Sequence, residues 1–88
     1  MTIKPTSAQI RAARALVRWS AEDLARESAV GVTTIRRAEL KEGETSMTNA
    51  NALAIRRALE AAGIEFIDAN GGGEGVRLRR ASTARKRK

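Results

Sequence analysis

The spacing of apolar residues divides the chain near residue 63. Up to that point apolar side chains recur every three or four residues, which is the period of one face of an α-helix. Beyond it they alternate with polar side chains, first over residues 64–66 and again over residues 76–79. Alternation of this kind is typical of a half-buried strand. The pattern therefore predicts a helical domain followed by two short strands.

Four helices are predicted from their start signals. The predicted starts are Thr6, Ser20, Gly31, and Met47 or Thr48. At the first two, a Gln or an Asp follows three residues later, at the spacing of a capping box. The fourth helix is predicted to end at Ala62, because Gly63 is well placed as a C-terminal stop.

The glycine-rich segment 68–75 predicts a β-hairpin between the two strands. It is not interpreted as a phosphate-binding loop, because such a loop leads into a helix and this segment leads into a strand. A lone hairpin is marginally stable in water. We therefore expect it either to join two copies of the chain in a homodimer or to pack on its own helices through Phe66 and Leu78.

Residues 20–39 predict two short helices joined by a tight turn at residues 29–31. In the second of these helices, Ile35 and Ala38 are expected to point inward. The residues expected to point outward are Val32, Thr33, Arg36 and Arg37. This arrangement consists of a short helix, a turn and a second helix that exposes Thr and Arg. It is typical of proteins that place a helix in the DNA major groove.

This stretch resembles the phage-repressor (Cro-like, XRE) helix-turn-helix family, and the similarity extends from about Ile10 to Leu59. The matching positions are Leu24, Ala25, Val30, Ile35 and Glu39. The chain departs from the family pattern at Ala21, where Gln is frequent, at Ala29, where Gly is usual, and at Gly31, where Ser or Thr is usual.

The resemblance implies a mainly α fold with a four- or five-helix repressor-like helix-turn-helix domain, and the sequence pattern beyond it adds a short C-terminal β-hairpin and a basic tail. We assign residues 6–62 to the helix-turn-helix domain and residues 63–80 to the hairpin, a candidate dimerisation element. Residues 81–88 are expected to be a disordered basic tail, because they contain no apolar side chain larger than alanine.

Arg14 falls on the apolar face of the first helix, although arginine is rarely buried unless it is paired. The resemblance implies a partner, because an arginine of the first helix meets the acid that ends the second motif helix in many members of the family. Here the implied structural ion pair is Arg14 with Glu39. Trp19, the single tryptophan, is interpreted as a core residue at the corner between the first two helices.

Composition narrows the classes of function. The chain has 88 residues, no Cys and no His, so disulfides, Cys-based metal sites and the commonest general base are excluded. No apolar run reaches the length of a membrane span. We therefore expect a cytoplasmic protein that is not an enzyme and has no catalytic residues, metal or cofactor.

The net charge of +7 lies at the C-terminal end of the chain. Residues 1–75 contain ten basic and ten acidic side chains, whereas residues 76–88 contain seven basic side chains and no acidic one. A charge distribution of this kind indicates a nearly neutral body with a cationic tail. Arg56 and Arg57 lie off the apolar face of the fourth helix and are interpreted as part of a solvated surface.

The resulting hypothesis is a sequence-specific regulator of transcription that binds double-stranded DNA as a homodimer. The expected DNA contacts are Ser20, Val32, Thr33, Thr34, Arg36, Arg37, Arg85, Lys86, Arg87 and Lys88. Arginines of the second motif helix would read guanine, and Thr33 and Val32 would meet base edges or a thymine methyl group. The alternative is the antitoxin of a toxin–antitoxin pair, which would bind both DNA and a protein partner, the toxin.

Overall fold

A computed structural model describes residues 4–40, 47–69 and 71–79. Within these ranges the chain forms four helices and then two strands. Their bounds are α1 Ser7–Val17, α2 Ala21–Ser28, α3 Val32–Leu40, α4 Asn49–Ala61, β1 Ile64–Ile67 and β2 Gly75–Leu78. The predicted fold, a mainly helical domain followed by a C-terminal hairpin, is confirmed. The tail residues Arg85, Lys86, Arg87 and Lys88 lie outside the described residues.

The first two helices begin at the predicted capping boxes. The Thr6 hydroxyl accepts a hydrogen bond from the Gln9 amide, and the Gln9 side chain accepts one from the Thr6 amide. Ser20 and Asp23 exchange the same two bonds at the start of α2. Each box satisfies two amides that have no partner within the first turn of the helix. These starts therefore depend on residues only three positions apart.

The helices enclose one apolar core. Its members come from every helix and from β1, and the fully buried ones include Ile10, Leu24, Ile35, Ile55, Leu59 and Ile64. Trp19 is half-buried and packs against this cluster, as its interpretation as a core residue requires. Because α2 packs on both α3 and α4, the core holds the helix-turn-helix pair at a fixed angle to the rest of the domain.

The turn between α2 and α3 is closed by buried contacts. Ser28 Oγ donates to the Leu24 carbonyl at 2.6 Å and accepts from the Val30 amide at 3.2 Å. Ala29 has φ +62°, in the left-handed region that favours glycine, at a position where the resembling family usually has Gly. Val30, which follows the alanine in this turn, is buried in the core. The turn therefore keeps its tight geometry with an alanine in an unfavourable conformation.

The two strands form an antiparallel hairpin in which Ile64 pairs with Leu78 and Phe66 with Val76. These four side chains pack against or within the core, through contacts of the strands with α1 and α4. Gln9 adds polar ties, because its Nε2 donates to the Gly75 carbonyl at 2.9 Å and to the Ile67 carbonyl at 3.3 Å. Of the two alternatives for the hairpin, packing on its own helices is the one observed; association of two copies stays a prediction.

Three helix boundaries differ from the prediction. Helix α3 continues to Leu40, and α4 begins at Asn49, with Thr48 as its N-cap, and ends at Ala61, with Ala62 as its C-cap. Thr48 Oγ1 accepts from the Asn51 amide at 3.1 Å, which favours a start one residue after the threonine. At the other end, Gly63 has φ +109° and turns the chain from α4 into β1.

Candidate nucleic-acid interface

Helix α3 has one buried and one exposed face. Ile35, Ala38 and Glu39 are buried, whereas Thr33, Arg36 and Arg37 are exposed. The exposed face therefore carries hydroxyl and guanidinium groups. These side chains match the donors and acceptors that base edges present in the major groove.

Val32 was expected to point outward, and this expectation is wrong. The side chain is half-buried and packs against the core. As the first residue of α3, Val32 lies directly after the turn, where an apolar side chain covers the junction of the two helices. Thr34 is also half-buried, and it lines a small depression together with Arg37, Ala38 and Met47.

The structure contains the Arg14–Glu39 ion pair. Arg14 Nε lies 2.7 Å from Glu39 Oε2, and Arg14 Nη2 lies 2.8 Å from Glu39 Oε1. The side chains are 23% and 10% exposed, respectively. The hydrogen bond to Glu39 raises the pKa of the Arg14 guanidinium above its ordinary value, against the opposing effect of burial. This bidentate geometry is the strong form of an arginine–carboxylate contact.

One further bond from α1 supports the same end of α3, and no sequence pattern indicated it: Arg11 Nη1 donates to the Glu39 carbonyl at 2.5 Å. Arg14 Nη1 donates to the Trp19 carbonyl, between α1 and α2, at 2.8 Å. Carbonyls in the last turn of a helix have no partner within it, so a guanidinium donor there is stabilising. Both the side chain and the backbone of Glu39 are thus held by α1, which fixes the position of α3.

The exposed arginines of α3 differ in their surroundings. Arg36 Nη2 forms an ion pair with Glu22 Oε2, in the first turn of α2. The Arg37 side chain forms no hydrogen bond or ion pair with any other residue in the described ranges. The pKa of the Glu22 carboxyl is lowered, first by a hydrogen bond from its own backbone amide and then by Arg36. Arg37 is therefore the more available cation of the two.

The start of α2, where Ser20 is expected to contact DNA, is poorly suited to binding a phosphate. The Ser20 amide already donates to Asp23 Oδ2 at 2.9 Å, and hydrogen bonds from the Ser20 side chain contribute to the lowered pKa of the Glu22 and Asp23 carboxyls. Glu22 and Asp23 also place two carboxylates in the first turn, where they would repel a phosphate. The Ser20 amide and Arg26 lower the pKa of the Asp23 carboxyl below its ordinary value.

Arg56 was interpreted from the sequence as part of a solvated surface, and this interpretation is wrong. Its side chain is 19% exposed, with Nε 3.0 Å from Glu60 Oε2. The guanidinium carbon lies 5.0 Å from the centre of the Phe66 ring, at cation–π distance. Arg56 therefore helps to join α4 to β1. The neighbouring Arg57 is exposed, as expected.

The described residues contain no group of three or more His, Cys, Asp or Glu side chains that could hold a metal ion. No helix in the described ranges is long and apolar enough to span a membrane. Comparison with family models gives no match, and no curated protein matches the chain.

Proposed function

We propose that this protein is a sequence-specific DNA-binding regulator of transcription that places α3 in the major groove. The observation that carries the proposal is the division of α3 into a face anchored by Ile35 and Glu39 and a face that exposes Thr33, Arg36 and Arg37. A helix fixed along one side can hold its opposite side chains in a constant register against base edges.

The role proposed for each side chain follows from its hydrogen-bonding groups and from whether they already have partners in the protein. Arg37, without a partner in the described ranges, is assigned bidentate donation to guanine O6 and N7. Thr33 is assigned to a base edge or a thymine methyl group. The half-buried Thr34 is assigned to a phosphate, and the basic residues 85–88 are assigned sequence-independent affinity.

We further propose that the protein acts as a homodimer in the cytoplasm, where it would meet DNA. Helix-turn-helix proteins bind two-fold sites as dimers, with one recognition helix for each half-site. The hairpin supports this proposal, because β1 and β2 pair only with each other in the described chain, so each keeps an unpaired outer edge. Such an edge can pair with a strand from another copy.

Selection of bound duplexes from a random DNA pool tests the proposal. We expect an enriched two-fold site with half-sites centred about 10–10.5 base pairs apart. The matched variants are Arg37→Ala, which should relax the preference at one base pair of each half-site, and Arg57→Ala, an exposed arginine of α4 that should leave it unchanged. If the protein enriches no sequence, specific DNA binding is excluded.

A further inference from the structure

We propose that Glu22 is a specificity-determining residue of the α3 surface. By holding the Arg36 guanidinium, it keeps this cation from binding DNA phosphates indiscriminately. The inference rests on the proposed function, because it concerns how one arginine of that surface meets DNA. It assigns a role toward DNA to a carboxylate in the first turn of α2 that would repel an approaching phosphate.

The geometry that carries the inference is an ion pair across the helix-turn-helix. Glu22 lies in the first turn of α2 and Arg36 in the middle of α3, 14 positions later, and Nη2 of the arginine meets Oε2 of the glutamate. The side chains are 56% exposed for Arg36 and 58% for Glu22. The pair is therefore open to solvent and to an approaching duplex.

Stability does not account for this pair. Water and salt screen exposed ion pairs, so their contribution to folding is small. The angle between α2 and α3 is already set by the buried Leu24 and Ile35, and α3 is tied to α1 through Glu39. The effect of the pair is thus on how Arg36 interacts with other molecules.

The Glu22–Arg36 pair would favour contacts of Arg36 with bases over contacts with phosphates, because the two groups differ in charge. An unpaired arginine binds any phosphate, which adds affinity without sequence information. Beside Glu22, a phosphate contact brings two negative charges together, and their repulsion offsets part of the gain. A guanine edge presents the neutral acceptors O6 and N7. Because a guanidinium has five N–H donors, Arg36 can keep its bond to Glu22 and still donate to guanine.

The deciding variant is Glu22→Gln, measured against the selected site and a random duplex over a range of salt concentrations. Release of Arg36 to one phosphate should steepen the slope of log K against log salt by about 0.9 on random DNA. Random-DNA affinity should rise by up to about tenfold at 0.1 M salt, by the same relation. Affinity for the selected site should rise less, so the ratio of specific to random binding should fall.

Glu27→Gln is the charge-matched control. Glu27 is an exposed carboxylate of the same helix that has no ion-pair partner in the described ranges. If Glu27→Gln raises the affinity for random DNA as much as Glu22→Gln does, the effect is general repulsion between carboxylates and DNA, and the role of Glu22 is refuted. Both variants alter exposed side chains, so both should melt like the unaltered protein.

The double variant Glu22→Gln with Arg36→Ala tests whether Glu22 acts through Arg36. In the Arg36→Ala background, loss of the carboxylate should no longer change the salt slope; a persisting change would overturn the inference. An unaltered protein that selects no DNA would remove the proposed function and this inference together. A selective protein whose specificity ratio is unchanged by Glu22→Gln would refute the inference alone.

Discussion

The Arg14 guanidinium holds the Glu39 carboxylate by two parallel bonds of 2.7 and 2.8 Å, and through it α1 holds α3. Loss of one partner leaves the other charge largely buried and uncompensated, which costs about 3–5 kcal/mol for a fully buried pair. Since Arg14 is 23% exposed, we expect Arg14→Met and Glu39→Gln each to cost about 3 kcal/mol, at the low end of that range.

Chemical denaturation of the two single variants and the double variant measures this coupling. The double variant should lose less stability than the two single variants combined, because removing the second partner removes the uncompensated charge. Strictly additive losses would mean that the pair does not stabilise the fold.

Gln9 is expected to be the polar tie that fixes the hairpin to α1. Gln9→Leu would leave the part-buried Ile67 and Gly75 carbonyls without this donor, which should cost about 1–3 kcal/mol in total. Thr6→Ala is the control, because it removes the cap at the same helix start, at about 1 kcal/mol, but leaves Gln9 Nε2 in place. Denaturation should show a larger loss for Gln9→Leu; equal losses would assign Gln9 to capping alone.

Ala29→Gly is expected to stabilise the protein. A left-handed alanine costs about 1–2 kcal/mol, and the larger unfolded-state entropy of glycine offsets part of the relief, which leaves a gain of about 0.5–1 kcal/mol. Ala25→Gly is the control, since the same change inside α2 should cost about 1 kcal/mol. Opposite shifts in melting temperature are expected. If Ala29→Gly lowers the melting temperature, the backbone at Ala29 is not strained.

Arg37→Ala is expected to weaken binding to the selected site by about 1–3 kcal/mol, through loss of one bidentate base contact. Binding to random DNA should change little. Titration of both duplexes with the variant and with Arg57→Ala measures the difference. If Arg37→Ala weakens both duplexes equally, Arg37 binds phosphate and does not read a base.

Removal of residues 82–88 is expected to reduce affinity for every DNA sequence. The deletion takes away Arg85, Lys86, Arg87 and Lys88. If all four contact phosphates, the slope of log K against log salt becomes shallower by about 3.6, at ~0.9 per contact. The melting temperature should stay the same, because the segment has no large apolar side chain to pack. An unchanged salt slope would show that the tail does not contact DNA.

The sequence by itself determined the features that depend on neighbouring residues. The capping boxes at Thr6 and Ser20 join groups three positions apart, so the order of residues sets them. The hairpin likewise followed from alternation and a glycine-rich turn, and the inward positions Ile35 and Ala38 followed from helical spacing. Because 25 positions separate Arg14 from Glu39, no local pattern indicates their pairing, and it was expected from the family resemblance instead.

Tertiary structure alone decided which polar groups meet across the fold. Arg11 reaches the Glu39 carbonyl, Gln9 reaches both strands, and Glu22 meets Arg36, over separations of 14 to 66 positions. No periodicity marks such contacts, because they depend on how helices are placed once the apolar core has formed. The same cause turned Val32 inward and set Arg56 over Phe66. Helical spacing assigns a side chain to a face, but packing decides what that face contacts.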